Sequence, residues 1–96
     1  METFQQIING DTPVLVDFYA DWCGPCKAME PTIKEVARSV TGKTRIIKLD
    51  IDKNQPTAQT YQVSAVPTFI LFKNGKIAPV FGFKRHMCPA NHSSTL

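Results

Sequence analysis

The sequence has little of what secreted, membrane-spanning or nucleic-acid-binding chains carry. Its 96 residues hold only three cysteines, too few for a disulfide-stapled secreted scaffold, and the odd count leaves one thiol over in any intramolecular pairing. The first twenty residues contain no Lys or Arg, so no basic region precedes an apolar core as a secretory leader would need. No apolar run approaches the roughly 20 residues that a membrane span requires. Eleven Lys and Arg against eight Asp and Glu give a formal charge of +3. The basic residues are dispersed apart from Lys84, Arg85 and His86, and none forms a cluster interleaved with stacking aromatics, so neither nucleic acid nor membrane is an expected partner. Repeats and low-complexity tracts are also missing. What is expected is one small soluble domain of a reducing, cytoplasmic compartment, with a thin stability margin on the order of 5–10 kcal/mol.

The pattern that is present reads as α/β. Thr3 and Gln6 match a capping box ahead of Phe4, Ile7 and Ile8, with Gly10 as a stop, which predicts a short helix within residues 1–10. Val14 to Ala20 is a mostly apolar, β-rich run of strand length, expected to be covered on both faces. Met29, Ile33, Val36, Ala37 and Val40 recur at helical spacing and predict an amphipathic helix over residues 24–40. A second strand follows at Arg45–Ile51 and a weaker helix over 56–62; strand, helix and strand in this order imply a parallel crossover. Thr68–Lys73 and Ile77–Phe81 flank Asn74-Gly75, the dipeptide suited to a tight antiparallel hairpin, while Pro79 places the last strand at an edge or a bulge. After Gly82 the pattern stops. Residues 1–82 therefore read as the domain and 83–96 as an irregular tail.

The chemistry concentrates in Trp22-Cys23-Gly24-Pro25-Cys26-Lys27, at the junction of the buried strand and the long helix. Cys23 falls near the N-cap, where the helix dipole and unpaired N–H groups favour a thiolate. Gly24 permits close backbone approach and Pro25 sets φ early in the helix. Two intervening residues let the sulfurs close a small ring reversibly. Alternatively the pair is half of a zinc site, for which His86, Cys88 and His92 are the only further ligands at hand.

Val16 to Lys27, including Asp17 and the Cys-Gly-Pro-Cys run, resembles the active-site segment of the thioredoxin family. Lys48-Leu49-Asp50-Ile51-Asp52, Ala65-Val66-Pro67-Thr68 and Phe72-Lys73-Asn74-Gly75 resemble that family at matching intervals, over about residues 4–82. The resemblance implies a thioredoxin-like fold, a mixed four-stranded sheet flanked by helices. It also implies a protein-disulfide reductase in which Cys23 attacks a substrate disulfide and Cys26 resolves the mixed disulfide. No metal or bound cofactor is implied; electrons would come from NADPH through a separate thioredoxin reductase. Asp17 matches the family's buried acid, paired with Lys48 in an inward-type position, and exchanging a proton with Cys26 through water. Val66–Pro67 would be a cis bond facing the sulfurs, exposing backbone groups to an extended substrate strand. Trp22, Tyr19, Gly24, Pro25, Val66, Pro67 and Gly82 would form the contact surface. The competing function is a partner-binding module with weak or no turnover.

The chain departs from the family at both ends, with no recognisable first strand and no amphipathic helix after Gly82. Strand 45–51 becomes an edge and part of one sheet face is left open, so a homodimer through that face, the edge strand or Cys88 is a further expectation. Cys88 itself reads as an incidental exposed thiol.

Overall fold

The computed structural model describes residues 3–78 and 88–89. The first helix, α1 (Phe4–Ile8), opens with the expected capping box: the Gln6 N–H donates to Thr3 Oγ1 at 3.1 Å and the Thr3 N–H to Gln6 Oε1 at 2.9 Å. Two donors that the helix cannot satisfy internally are thereby paired. The helix ends on Asn9 in a right-handed conformation rather than on Gly10, whose carbonyl instead accepts the Asn74 N–H at 3.2 Å.

Strand β1 (Val14–Tyr19), helix α2 (Gly24–Ser39) and strand β2 (Arg45–Asp50) form the crossover, and β1 pairs with β2 in parallel with Asp17 opposite Lys48. A parallel pair needs a long connection, which α2 provides. Helix α3 (Gln55–Thr60) leads to the two-residue strand β3 (Ala65–Val66), then to the hairpin of β4 (Thr68–Lys73) and β5 (Lys76–Ala78). Asn74 and Gly75 take φ of 53° and 77°, the left-handed pair that a tight hairpin of this twist demands. The Gly75 N–H donates to the Ile8 carbonyl at 2.8 Å, tying the turn to the end of α1. The four-stranded sheet runs β2-β1-β4-β5, the expected order, with β1 and β4 antiparallel. The last strand is described only to Ala78; its expected continuation through Pro79, and Gly82, lie outside the described residues.

The tail expectation needs correction at one point. Cys88–Pro89 forms a strand, β6, paired antiparallel with β3, so that Ala65 faces Pro89 and Val66 faces Cys88. No apolar stripe announces it, because a two-residue strand is held by backbone hydrogen bonds that composition does not record. The rest of 83–96 lies outside the described residues.

The two sheet faces differ. On one, Val14, Val16, Phe18 and Phe72 are fully buried, and Phe4, Tyr61 and Phe72 pack as a ring cluster with centroids 5.1–5.8 Å apart. On the other, Leu15, Phe69 and Leu71 are only half-buried, and in α2 Cys26 is the one buried residue. Val36, expected on the buried stripe of that helix, is exposed. Among the described residues no helix is long and apolar enough to cross a membrane.

A side chain at Gly75 would meet the Asn9 amide and hold a left-handed φ. Gly75→Ala is expected to lower folding stability by about 1–2 kcal/mol, read from urea denaturation, with redox activity retained by the folded fraction.

Candidate active site

Strand β1 is buried from Val16 to Phe18, and the chain then has only a few residues in which to turn into α2. The Cys23 N–H donates to the Ala20 carbonyl at 3.2 Å, closing that turn. Cys23 becomes the N-cap, fully buried, and Cys26 lies one turn into the helix beside Gly24, which is exposed, and Pro25, half-buried. Both cysteines are free thiols.

The second wall comes from the far side of the sequence. Val66–Pro67 is a cis peptide and both residues are buried. The Cys23 thiol donates to the Val66 carbonyl at 3.5 Å, which fixes Cys23 against this loop. The β3 backbone expected to be open beside the sulfurs is already paired with β6. Cys88 is half-buried, packs against the core, and is the register partner of Val66, the residue whose carbonyl the Cys23 thiol engages. The reading of Cys88 as an incidental exposed thiol is therefore wrong: strand pairing with Val66, invisible in composition, carries it to the site.

The two cysteines of the pair are electrostatically unequal. Burial alone would raise the Cys23 pKa, but hydrogen bonds from the thiols and backbone N–H groups of Cys88 and Cys26 outweigh it, and the net shift is downward. Burial pushes Cys26 up to about 12, helped by its hydrogen bond to Cys23 and by the negative charges of Cys23 and Asp17. One sulfur is thus biased toward thiolate and the other holds its proton.

Asp17 lies beneath them, 5% exposed, with Oδ1 buried and without a hydrogen-bond partner. Burial raises its pKa to about 6, against the lowering charge of Lys48 and with a smaller upward push from Glu30. Lys48 departs from the inward position expected of it. It shares a sheet face with Asp17, but its ammonium is exposed, 3.6 Å from Glu30 Oε1 and 4.7 Å from the centre of the Tyr19 ring. A long, strongly hydrated cation keeps its head in water while its stem lies along the strand. Glu30 was legible in one respect only: it stands four residues after Cys26, on the same helix face.

Trp22 packs half-buried against the core, and its indole Nε1–H donates to Asp52 Oδ2 at 2.8 Å. The Asp52 N–H in turn donates to Asp50 Oδ1 at 2.9 Å. Asp52 is thus an anchor for Trp22 across 30 positions of sequence, and periodicity carries no signal for it. Gly82, and the histidines that a zinc site would need, lie outside the described residues; among the described residues no group of three or more potential ligands is placed to hold a metal ion.

Comparison with known proteins agrees with this architecture. The family model described as Thioredoxin matches residues 1–87. A curated thioredoxin of Pseudomonas aeruginosa is 49% identical over 73 residues, spanning 76% of this chain and 68% of that protein. Among solved structures, mitochondrial thioredoxin 3 from Saccharomyces cerevisiae, in its oxidized form, superposes with a TM-score of 0.75 at 35% identity, over 82% of this chain and 74% of the other. A structure concerning thiol resolution in a yeast mitochondrial 1-Cys peroxiredoxin through the glutathione and thioredoxin systems gives 0.74 at 30% identity, over 96% and 80%.

Because the folded pKa of Asp17 lies above its ordinary value of 3.8, the native state binds this proton more tightly than the unfolded chain. The group therefore opposes folding above about pH 6, and that cost disappears as pH falls below about 4. Asp17→Asn is expected to raise unfolding free energy at pH 7 by on the order of 2–3 kcal/mol. The gain should be absent at about pH 4, and equal stabilisation at both pH values in urea titrations would contradict the assigned burial cost.

Proposed function

This chain belongs to the thioredoxin family and is a protein-disulfide oxidoreductase, and we propose that Cys23 and Cys26 are the pair through which it reduces its substrates. The observation that carries this reading is the inequality of the two sulfurs. Cys23, lowered in pKa at the N-cap, is the nucleophile; Cys26, pushed up to about 12, is the protonated reserve.

In the first step the Cys23 thiolate attacks one sulfur of a substrate disulfide, forming a mixed disulfide and releasing the other sulfur as a thiolate. Once Cys23 is in the mixed disulfide its negative charge is gone, and with it one of the effects that hold the proton on Cys26. Asp17, with an unpaired buried oxygen and a pKa near 6, is ionised at neutral pH and accepts the Cys26 proton, through water. Cys26 then attacks Cys23 and frees the second substrate thiol, leaving Cys23–Cys26 oxidised. Lys48 acts as a positioning residue, its positive charge limiting how far burial raises Asp17.

The contact surface in this proposal is Trp22, Gly24, Pro25, Val66, Pro67 and Gly82, with the Val66 backbone available to an extended protein strand once that strand takes the place of β6. Disulfide-containing proteins are the substrate class, a reading supported by the structural neighbour studied with a peroxiredoxin. The electrons rest on the two sulfurs, so the cycle needs no bound cofactor; a separate thioredoxin reductase drawing on NADPH would restore the dithiol. A reducing compartment such as the cytoplasm is the setting this chemistry requires.

Dithiol-driven reduction of a protein disulfide such as insulin tests the reading. Wild-type turnover should fall to background in Cys23→Ser, whereas Cys26→Ser should stall as a mixed disulfide visible by intact mass. Partner binding without turnover in the wild type would favour the binding-module reading instead. In single-turnover measurements Asp17→Ala should slow resolution about 100-fold, a typical general-base contribution, with a much smaller effect on the first attack. The first-attack rate should rise with pH and level off below the ordinary cysteine pKa, since that of Cys23 is depressed.

A further inference from the structure

The family match ends at residue 87, one position before a thiol that the structure sets against the reactive sulfur. Val66 holds both sides of this contact. Its carbonyl accepts the Cys23 thiol hydrogen at 3.5 Å, and its register partner in the β3–β6 pair is Cys88. Cys26 lies one helical turn away on the other side of the pair, so the Cys23 sulfur has two further cysteines as neighbours.

Resting on the reading above, we propose that Cys88 is a third redox thiol of this centre, forming a Cys23–Cys88 disulfide that exchanges with Cys23–Cys26. The oxidant class is a low-molecular-weight disulfide. The Cys23 thiolate attacks it, one reagent sulfur leaves as a thiolate, and the other remains bonded to Cys23. Cys88, losing its proton to solvent, then attacks Cys23; the reagent bond breaks and its second half leaves as a thiol. The reagent gains two electrons, and Cys23 and Cys88 lose two. Cys26 reopens the new bond by attacking Cys23 and returning the Cys88 thiol. A protein substrate that adds an extended strand at Val66 must first displace β6, because both need the same backbone edge.

The experiment uses the reduced Cys26→Ser chain mixed with equimolar oxidised glutathione, acid-quenched over time and followed by intact mass. The glutathione adduct on Cys23 should be transient and give way to a monomer two hydrogens lighter. A non-reducing peptide map should join Cys23 to Cys88, at a rate independent of protein concentration. In Cys26→Ser with Cys88→Ser the adduct should decay at least about 100-fold more slowly, as expected when a positioned intramolecular thiol is removed. An adduct equally long-lived in both variants, or a link only between chains, would overturn the proposal. Should Cys26→Ser not fold, wild-type chain given substoichiometric oxidised glutathione and quenched early is mapped for the Cys23–Cys88 peptide pair, and its absence is the negative result. Wild-type protein that reduces insulin yet never shows this pair defeats the inference alone; wild-type protein that reduces no disulfide defeats the reading beneath it.

Discussion

The rest of the structure depends on the confinement of one sulfur at a strand-to-helix junction. Strand β1 delivers the chain into the core, Ala20 and Cys23 close the turn by a backbone hydrogen bond, and α2 begins at Gly24. Cys23 is thereby buried completely while standing at the positive end of a sixteen-residue helix. Burial by itself would keep that thiol neutral. Hydrogen bonds from two neighbouring thiols and their backbones reverse the sign, so the lowered pKa belongs to two chain segments, the start of α2 and β6, and not to the N-cap alone.

The same confinement explains the charges below the site. Asp17 occupies an interior strand position where its opposite number is Lys48, yet the lysine ammonium stays in water beside Glu30 and Tyr19. A tight ion pair at depth would require desolvating both groups. The arrangement leaves a carboxylate that is only partly compensated, with a pKa drawn toward neutrality and one oxygen free of partners. That is costly for the fold and suits a group that takes up and gives back a proton at neutral pH. Cys26, raised in part by Asp17, shows that the two groups sense one another.

The loop at the cis Val66–Pro67 bond serves two partners. Its carbonyl side engages Cys23 and its strand edge engages Cys88–Pro89. In the proposed cycle a protein strand would compete with the chain's own tail for this one short edge, and the half-buried side chains on the α2 face of the sheet show that this face is less closely packed than the α1 face.

Much of this was legible in the residues. Binary pattern placed β1, α2 and the hairpin, because apolar spacing must follow the period of the element that buries it. The Asn-Gly turn and the Thr3 box were readable because each is a local steric or hydrogen-bonding requirement. The Cys-x-x-Cys pair at a helix start announced thiol chemistry for the same reason. Local sequence could not show that Lys48 turns outward to Glu30, that Asp52 anchors Trp22, that Val36 is exposed, or that Cys88 reaches Cys23. Each depends on which distant segments share a surface, and pairings across 22 to 43 positions, such as Val66 with Cys88 and Cys23 with Val66, are decided by chain packing and backbone hydrogen bonds. The sequence by itself determined the cysteine pair and the elements that carry it; tertiary structure alone decided its neighbours, because burial and proximity, which set its charge, are properties of the folded whole.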